Sequence, residues 1–473
     1  MIDGSGSNLF RADVGVIGEK IVKIGRIPLG AGEREIDITD RVIAPGFIDS
    51  HTHDDRMLLS SPQMHAKASQ GVTTVITGNC GISLAPLILN EDPPPPLDLI
   101  GEKKHYKFNT FADYLSAIEI AKPALNAACL IGHSTLRVRV MKNINRPASV
   151  SELSEMKNLY QQALDDGAIG LSSGTFYPPA AAAPNWEIAA LNEVGKHLGA
   201  IYATHMRDEA DNVIESIKES IEISDEGGVS LVISHHKVTG KHNHGRTKQT
   251  LPLIKEAMKN RKIGLDVYPY VAASSILIAS RASIADRVVI SWSKSRPEYA
   301  GRDLSDIVNE LRISIEETVE FLNPAGAIYF LMQEDDVQRI MAFPQTMIGS
   351  DGMPHDKHPH PRLWGTFPRV IGHYARDKGL FSMEEAIRRM TSLPAKTFGI
   401  TGRGSVERGY YADLVIFDPK TIADAATFDS PTLPALGVEK VFVNGQEIWR
   451  NGQPTGNQPG RALRRQQLQN ELH

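Results

Sequence analysis

The sequence predicts an α/β protein: a (β/α)₈ barrel carrying a small β domain assembled from the two ends of the chain. Three observations predict it. Eight short apolar runs recur through the middle of the chain, helical stretches separate most of them, and both termini have strand-and-turn composition instead. Near-continuous apolar strands suit a sheet buried on both faces, and eight of them with intervening helices is the barrel count. At 473 residues the chain holds such a barrel, about 250 residues or more, together with an accessory module.

In chain order, Met1-Ile2-Asp3-Gly4-Ser5-Gly6 is turn-rich, residues 12–19 read as strand then turn, and residues 21–25 as a second strand. The far end matches, with strand and hairpin signals at 412–418 and 438–446. Residues 1–42 and 400–460 are therefore expected to form one β domain, with the barrel, 43–399, inserted between them. The expected barrel strands are 43–49, 72–77, 127–131, 168–172, 200–203, 229–234, 262–267 and 346–349. Between the third and fourth, residues 151–166 place Leu153, Met156, Leu159, Tyr160 and Leu164 on one helical face, with a Ser-x-x-x-Glu start at Ser151. Residues 272–335 exceed what a crossover helix needs; with helical stretches expected at 282–294 and 304–322, they read as a lid over the barrel mouth. The proline run at 93–96 is a stiff loop without chemistry of its own.

Composition bounds the function. Apolar residues make up 41% and charged residues 23%, and the net charge of -5 gives no reason for a nucleic-acid or anionic-membrane partner, which leaves a small molecule. Two cysteines, Cys80 and Cys129, are too few for a disulfide framework, and no apolar run suits a signal or a membrane span, so a cytoplasmic protein is expected.

The first apolar run, Ile-Ala-Pro-Gly-Phe-Ile-Asp-Ser, leads into His51-Thr52-His53. On an extended strand, side chains at i and i+2 share a side, so the two imidazoles face one point, as a metal site requires. A bare pair also fits two polar residues ending a buried strand. Corroboration comes from the other strand ends: Cys80 follows the second run, His205 the fifth, His235 the sixth and Asp351 the eighth. Each alone has a plainer reading, as a small buried thiol, a hydrogen-bonded core histidine or a turn former. Their recurrence at the barrel face where active sites are built is what favours a metal centre.

The runs PGFIDSHTHDD, QGVTTVITGNCGISLAPL, GLSSGTFYPP, ATHMRDE, ISHHK, DVYPY and IGSDGMPHDKHPHPRLWGTFPR resemble, in order and spacing, those of the N-acyl-D-amino-acid deacylases, or D-aminoacylases, of the amidohydrolase superfamily. The resemblance implies a distorted (β/α)₈ TIM barrel with a small β-sandwich domain. It implies a tight Zn²⁺ site at Cys80, His205 and His235, and a second, weaker metal position at His51 and His53 bridged by the same cysteine, where most of the superfamily uses a carboxylated lysine. It implies that Asp351 is the catalytic aspartate, carrying a proton from water to the leaving amine. Lys237, Tyr268 and Arg362 match residues that hold the substrate α-carboxylate, Arg362 being suited to a two-pronged grip. The run Ser274-Ser275-Ile276-Leu277-Ile278-Ala279-Ser280-Arg281 is similar to the subgroup acting on N-acyl-D-glutamate, where an arginine at the position of Arg281 meets the distal carboxylate.

Arg281 thus has two readings, recognition of an acidic substrate or pairing with a protein carboxylate in the insertion. The other enzyme readings are a broad D-aminoacylase for neutral side chains and a cyclic-amide hydrolase of the hydantoinase or dihydroorotase kind; the context of Cys80 argues against the latter. A degenerate, non-catalytic barrel is the reading outside enzymes, and no ligand is missing to signal it. His133, His236 and His355 are expected to support the site or to hydrogen-bond rather than to ligate. Members of the resembled family usually carry one more β-strand before the Ile2-Asp3-Gly4 turn, so the expectation is either that the β domain has lost an outer strand or that the start given is late.

Overall fold

The computed structural model describes residues 1–470. Eight parallel strand positions form a barrel: Phe47–Asp49, Val72–Thr77, Asn126–Cys129 continued as Ile131–Gly132, Gly170–Gly174, Ile201–His205, Ser230–Ile233, Ile263–Val267 and Thr346–Ile348. They pair as two arcs that meet at the interruption of the third strand, and nearly every strand residue is buried, which is why the runs read as continuously apolar. Between the eighth and first strands there is no ladder. That seam is closed by Ser50 N–H donating to the Ile348 carbonyl at 3.4 Å and Asp351 N–H to the His51 carbonyl at 2.8 Å.

The run 43–49 is not one barrel strand, as expected, but two strands in two sheets. Val42–Pro45 pairs antiparallel with Leu414–Phe417 in a five-stranded sheet completed by Val438–Val443, Gln446–Arg450 and Gln453–Pro454. Only Phe47–Asp49 enters the barrel. Gly46 is the pivot, so close to Thr73 that an added Cβ would lie 2.1 Å from its methyl. Both halves are buried, so the apolar pattern carried no mark of the change. A hairpin of Asp13–Ile17 and Lys20–Gly25 lies beside this sheet through the Lys20–Tyr411 bridge, and Met1, Ile21, Ile43, Leu414 and Ile416 share one apolar cluster.

The helix expected at 151–166 runs Val150–Asp166, but its cap is Ser149: Ser149 and Glu152 satisfy each other's backbone N–H groups in a reciprocal box, two residues earlier than the start at Ser151. The insertion differs more. Residues 282–294, expected as helix, contain the strand Arg287–Ser293, which pairs with Ala325–Phe330 beside Ala272–Ile276 in an antiparallel sheet. Its sequence, Arg-Val-Val-Ile-Ser-Trp-Ser, is β-branched and aromatic, and partners some forty residues away decide its state. The helix expected over 304–322 is two, Leu304–Leu311 and Ile315–Leu322, broken where Arg312 turns left-handed (φ +57°) and restarted by a Ser314–Glu317 capping box. The unit has its own core of Ile290, Ile307, Leu322 and Tyr329.

Past residue 460 the chain returns to the amino-terminal end of the barrel. Leu463 N–H donates to the Ala127 carbonyl, and Leu463 and Leu468 join Ile48, Ile76, Leu130 and Met347 in one apolar cluster. No helix among the described residues is long and apolar enough to cross a membrane.

Candidate metal centre

The strand ends deliver the polar residues to one place. His51 and His53 follow the first barrel strand, Cys80 lies beyond the second, His205 ends the fifth, His235 lies beyond the sixth and Asp351 beyond the eighth, all buried. Cys80, His235 and Asp351 adopt left-handed backbone, with φ of +53°, +35° and +49°. Such a conformation costs a non-glycine residue about 1–3 kcal/mol, and it persists where surrounding bonds over-determine it. Here Asp266 accepts the His235 N–H at 2.8 Å, and the His51 carbonyl accepts that of Asp351.

Three imidazole nitrogens converge on one sulfur. Cys80 Sγ lies 3.3 Å from His51 Nε2, 3.4 Å from His235 Nε2 and 3.7 Å from His205 Nδ1. Zinc–sulfur and zinc–nitrogen bonds of about 2.3 and 2.0–2.1 Å at tetrahedral angles set sulfur and nitrogen about 3.5 Å apart. The observed spacings straddle that figure. Asp351 Oδ1 is 3.2 Å from His53 Nε2 and 3.5 Å from His51 Nε2, which puts a carboxylate against the same group. Against the desolvation that would raise it, the charges of His51 and His235 hold the Cys80 thiol well below its usual range, so a thiolate, the metal-binding form, is favoured. His53 shows the same opposition from the other side: burial lowers it, but bonds to Asp351 and Cys80 lift it to about 9. Donor types, convergence and spacing all fit a metal ion.

The cluster opens on a cavity lined also by Tyr177, Lys237, Tyr268, Arg281 and Met353. Arg362 is fully buried; it ion-pairs with Asp351 Oδ2 at 2.9 Å, and its guanidinium lies 4.4 Å from the Tyr268 ring centre. Although burial pushes the other way, this arginine, with His235 next, holds Asp351 well below the usual carboxylate range. The buried Tyr268 hydroxyl has no hydrogen-bond partner among the described residues. Lys237 Nζ meets Glu209 Oε1 at 2.5 Å and His235 Nδ1 at 2.7 Å. Arg281 makes no hydrogen bond among the described residues, and its nearest carboxylate is Glu209, 3.7 Å away. That carboxylate belongs to the segment after the fifth barrel strand, not to the insertion where the pairing reading placed it.

The structure thus brings every candidate metal-ligating, catalytic and substrate-binding residue to this cavity or directly behind it. His133 and His236 point elsewhere, to Glu187 and Thr250. Sequence reasoning missed Glu209, Asp266 and Lys67. Glu209 lies four residues past His205, a spacing that was readable; the roles of Asp266 and Lys67 depend on partners far along the chain.

Residues 34–261 and 315–449 match the Amidohydrolase family. The chain belongs to this family. The stretch between the matched segments contains most of the inserted sheet. This amidohydrolase is 52% identical to a D-aminoacylase of Alcaligenes xylosoxydans xylosoxydans, across 98% of the chain and 96% of the relative. It is 47% identical to an N-acyl-D-aspartate deacylase of the same organism, across 98% and 93%. Among solved structures, it superposes on the N-acyl-D-glutamate deacylase of Bordetella bronchiseptica, complexed with zinc and a phosphonate inhibitor, with a TM-score of 0.94 at 42% identity, covering 98% of this amidohydrolase and 97% of that chain.

Proposed function

We propose that this amidohydrolase hydrolyses the amide bond of N-acyl-D-amino acids with zinc, releasing a carboxylate and a free D-amino acid. The observation that carries the reading is the convergence of Cys80, His205 and His235 beside Asp351, in a chain similar over nearly its whole length to a D-aminoacylase. Cys80, His205 and His235 would hold the tight metal, with His51 and His53 serving a weaker second position shared through Cys80. Bound there, zinc supplies a Lewis acid that brings the pKa of water toward neutrality and polarises the amide carbonyl.

The chain's own residues do the rest. Asp351, kept ionised beside Arg362, accepts the proton of the attacking water and returns it to the leaving nitrogen as the C–N bond breaks. Its backbone bond to the His51 carbonyl sets its distance from the cluster. Lys237, Tyr268 and Arg362 bind the α-carboxylate, for which the unpartnered Tyr268 hydroxyl is available. Arg281 faces the same cavity without a hydrogen bond. A buried guanidinium so placed is stabilised by an acidic substrate side chain, which supports a preference for N-acyl-D-glutamate and its like.

The nearby Glu209 and the similarity to a D-aminoacylase favour a second reading, a broader enzyme for neutral side chains. Hydrolysis assays on N-acetyl-D- and N-acetyl-L-amino acids, run with a metal analysis, test both. The expected result is zinc in the protein, turnover of D forms, and higher kcat/KM for N-acetyl-D-glutamate than for N-acetyl-D-leucine. Turnover of L forms alone overturns the substrate class, and the reverse order of the two D substrates selects the second reading.

A further inference from the structure

Glu209 is a buried carboxylate among four basic side chains. Its oxygens lie 2.5 Å from Lys237 Nζ, 3.1 Å from His235 Nδ1, 3.7 Å from an Arg281 terminal nitrogen and 3.8 Å from His205 Nε2. All four line the cavity, and two of them, Lys237 and Arg281, are the groups given above to the two carboxylates of an acidic substrate. A fixed negative charge at that point acts twice on an entering side-chain carboxylate. It repels the carboxylate directly, and it neutralises part of the arginine that would receive it. A neutral side chain meets neither effect.

We infer that Glu209 is a specificity-determining residue, the resident counter-ion of Arg281 that restrains the preference for acidic D-amino acids and so keeps neutral ones within range. The inference rests on the function proposed above. Glu209 also braces Lys237 and His235, so replacing it lowers activity on every substrate by a common factor. The ratio of two substrates cancels that factor and isolates the charge effect.

The test compares the wild-type enzyme with Glu209→Gln, each with its zinc content measured. Removing the charge is expected to raise the ratio of kcat/KM for N-acetyl-D-glutamate over N-acetyl-D-leucine by at least roughly tenfold, toward the low end of what one charge does over a few ångströms between water-like and protein-like screening. It is expected to tighten glutarate binding, read by calorimetry, by a similar factor. An unchanged ratio with unchanged glutarate affinity overturns the inference and leaves Glu209 a brace for Lys237 and His235. If the wild type hydrolyses neither N-acetyl compound, the function above is wrong, and the glutarate arm alone decides the role of Glu209. If Glu209→Gln does not fold with Lys237 unpaired, Glu209→Gln combined with Lys237→Met is compared with Lys237→Met alone, so that the two proteins differ only in the Glu209 charge, and the same ratio and affinity are read.

Discussion

Cys80 is where local backbone and remote side chains act on one group. Its left-handed φ aims Sγ inward, and three histidines from the first, fifth and sixth strands close on it. Replacing it with alanine removes the only sulfur of the cluster and the atom proposed to be shared between two metal positions. Cys80→Ala is expected to lose the tightly held zinc on dialysis and to lower kcat/KM by more than the roughly 10–100-fold that loss of an outer hydrogen-bond partner costs a metal enzyme. Full zinc content with full activity would show that His205 and His235 hold the metal without it. Arg362 illustrates a different lesson at the same scale. The sequence pointed to it as a substrate grip; the structure also makes it the partner of Asp351, so a change there disturbs binding and proton transfer together.

Among elements, the barrel depends most on its weakest join, the seam between the eighth and first strands. Two backbone bonds cross it, and behind them sits Lys67, wholly buried, from the segment after the first strand. Its ammonium donates to Asp49 at 2.7 Å and to Ser350 Oγ at 2.6 Å, while Asp49 accepts the Ser350 N–H at 2.8 Å. Although burial opposes it, the pairing with Asp49 and Asp54 raises the Lys67 ammonium above its ordinary range, so the charge is kept. Removing one member of a buried ion pair strands the other, at about 3–5 kcal/mol. Lys67→Met is therefore expected to lower stability by that amount in denaturant unfolding and, because Ser350 precedes Asp351, to depress kcat more than KM. A loss below about 1 kcal/mol would mean that water reaches Asp49 and Asp54 once the lysine is gone.

For the whole molecule, the two ends of the barrel have separate tasks. The carboxyl-terminal end carries the charged cavity, and the amino-terminal end is covered by the returning tail, in which Leu463 and Leu468 complete the interior cluster. Burying two leucines is worth about 3–6 kcal/mol as an upper figure. Ending the chain at residue 460 is expected to lower the thermal midpoint by several degrees. The substrate ratio should stay unchanged in whatever fraction remains folded, since Leu463 and Leu468 pack at the end of the barrel opposite the cavity. A shifted ratio would show that the two ends are coupled through the strands.

The eight strand positions and the donor residues were legible because both are local signals. A strand buried on both faces is apolar along its length, and histidine, cysteine and aspartate at successive strand ends keep their chemistry wherever the chain goes. What could not be read was pairing. The run 43–49 divides between two sheets at Gly46, and residues 287–293 became a strand because Ala325–Phe330 lies beside them. Glu209, Asp266 and Lys67 matter because of the charges and donors they face, and for each a deciding partner lies well beyond a local pattern: Lys237 for Glu209, His51 for Asp266 and Ser350 for Lys67. By itself, the sequence determined the barrel, its metal-competent donors and the family it resembles. Only the tertiary structure decided which charges meet, since an ion pair belongs to two positions whose separation in space no local pattern encodes.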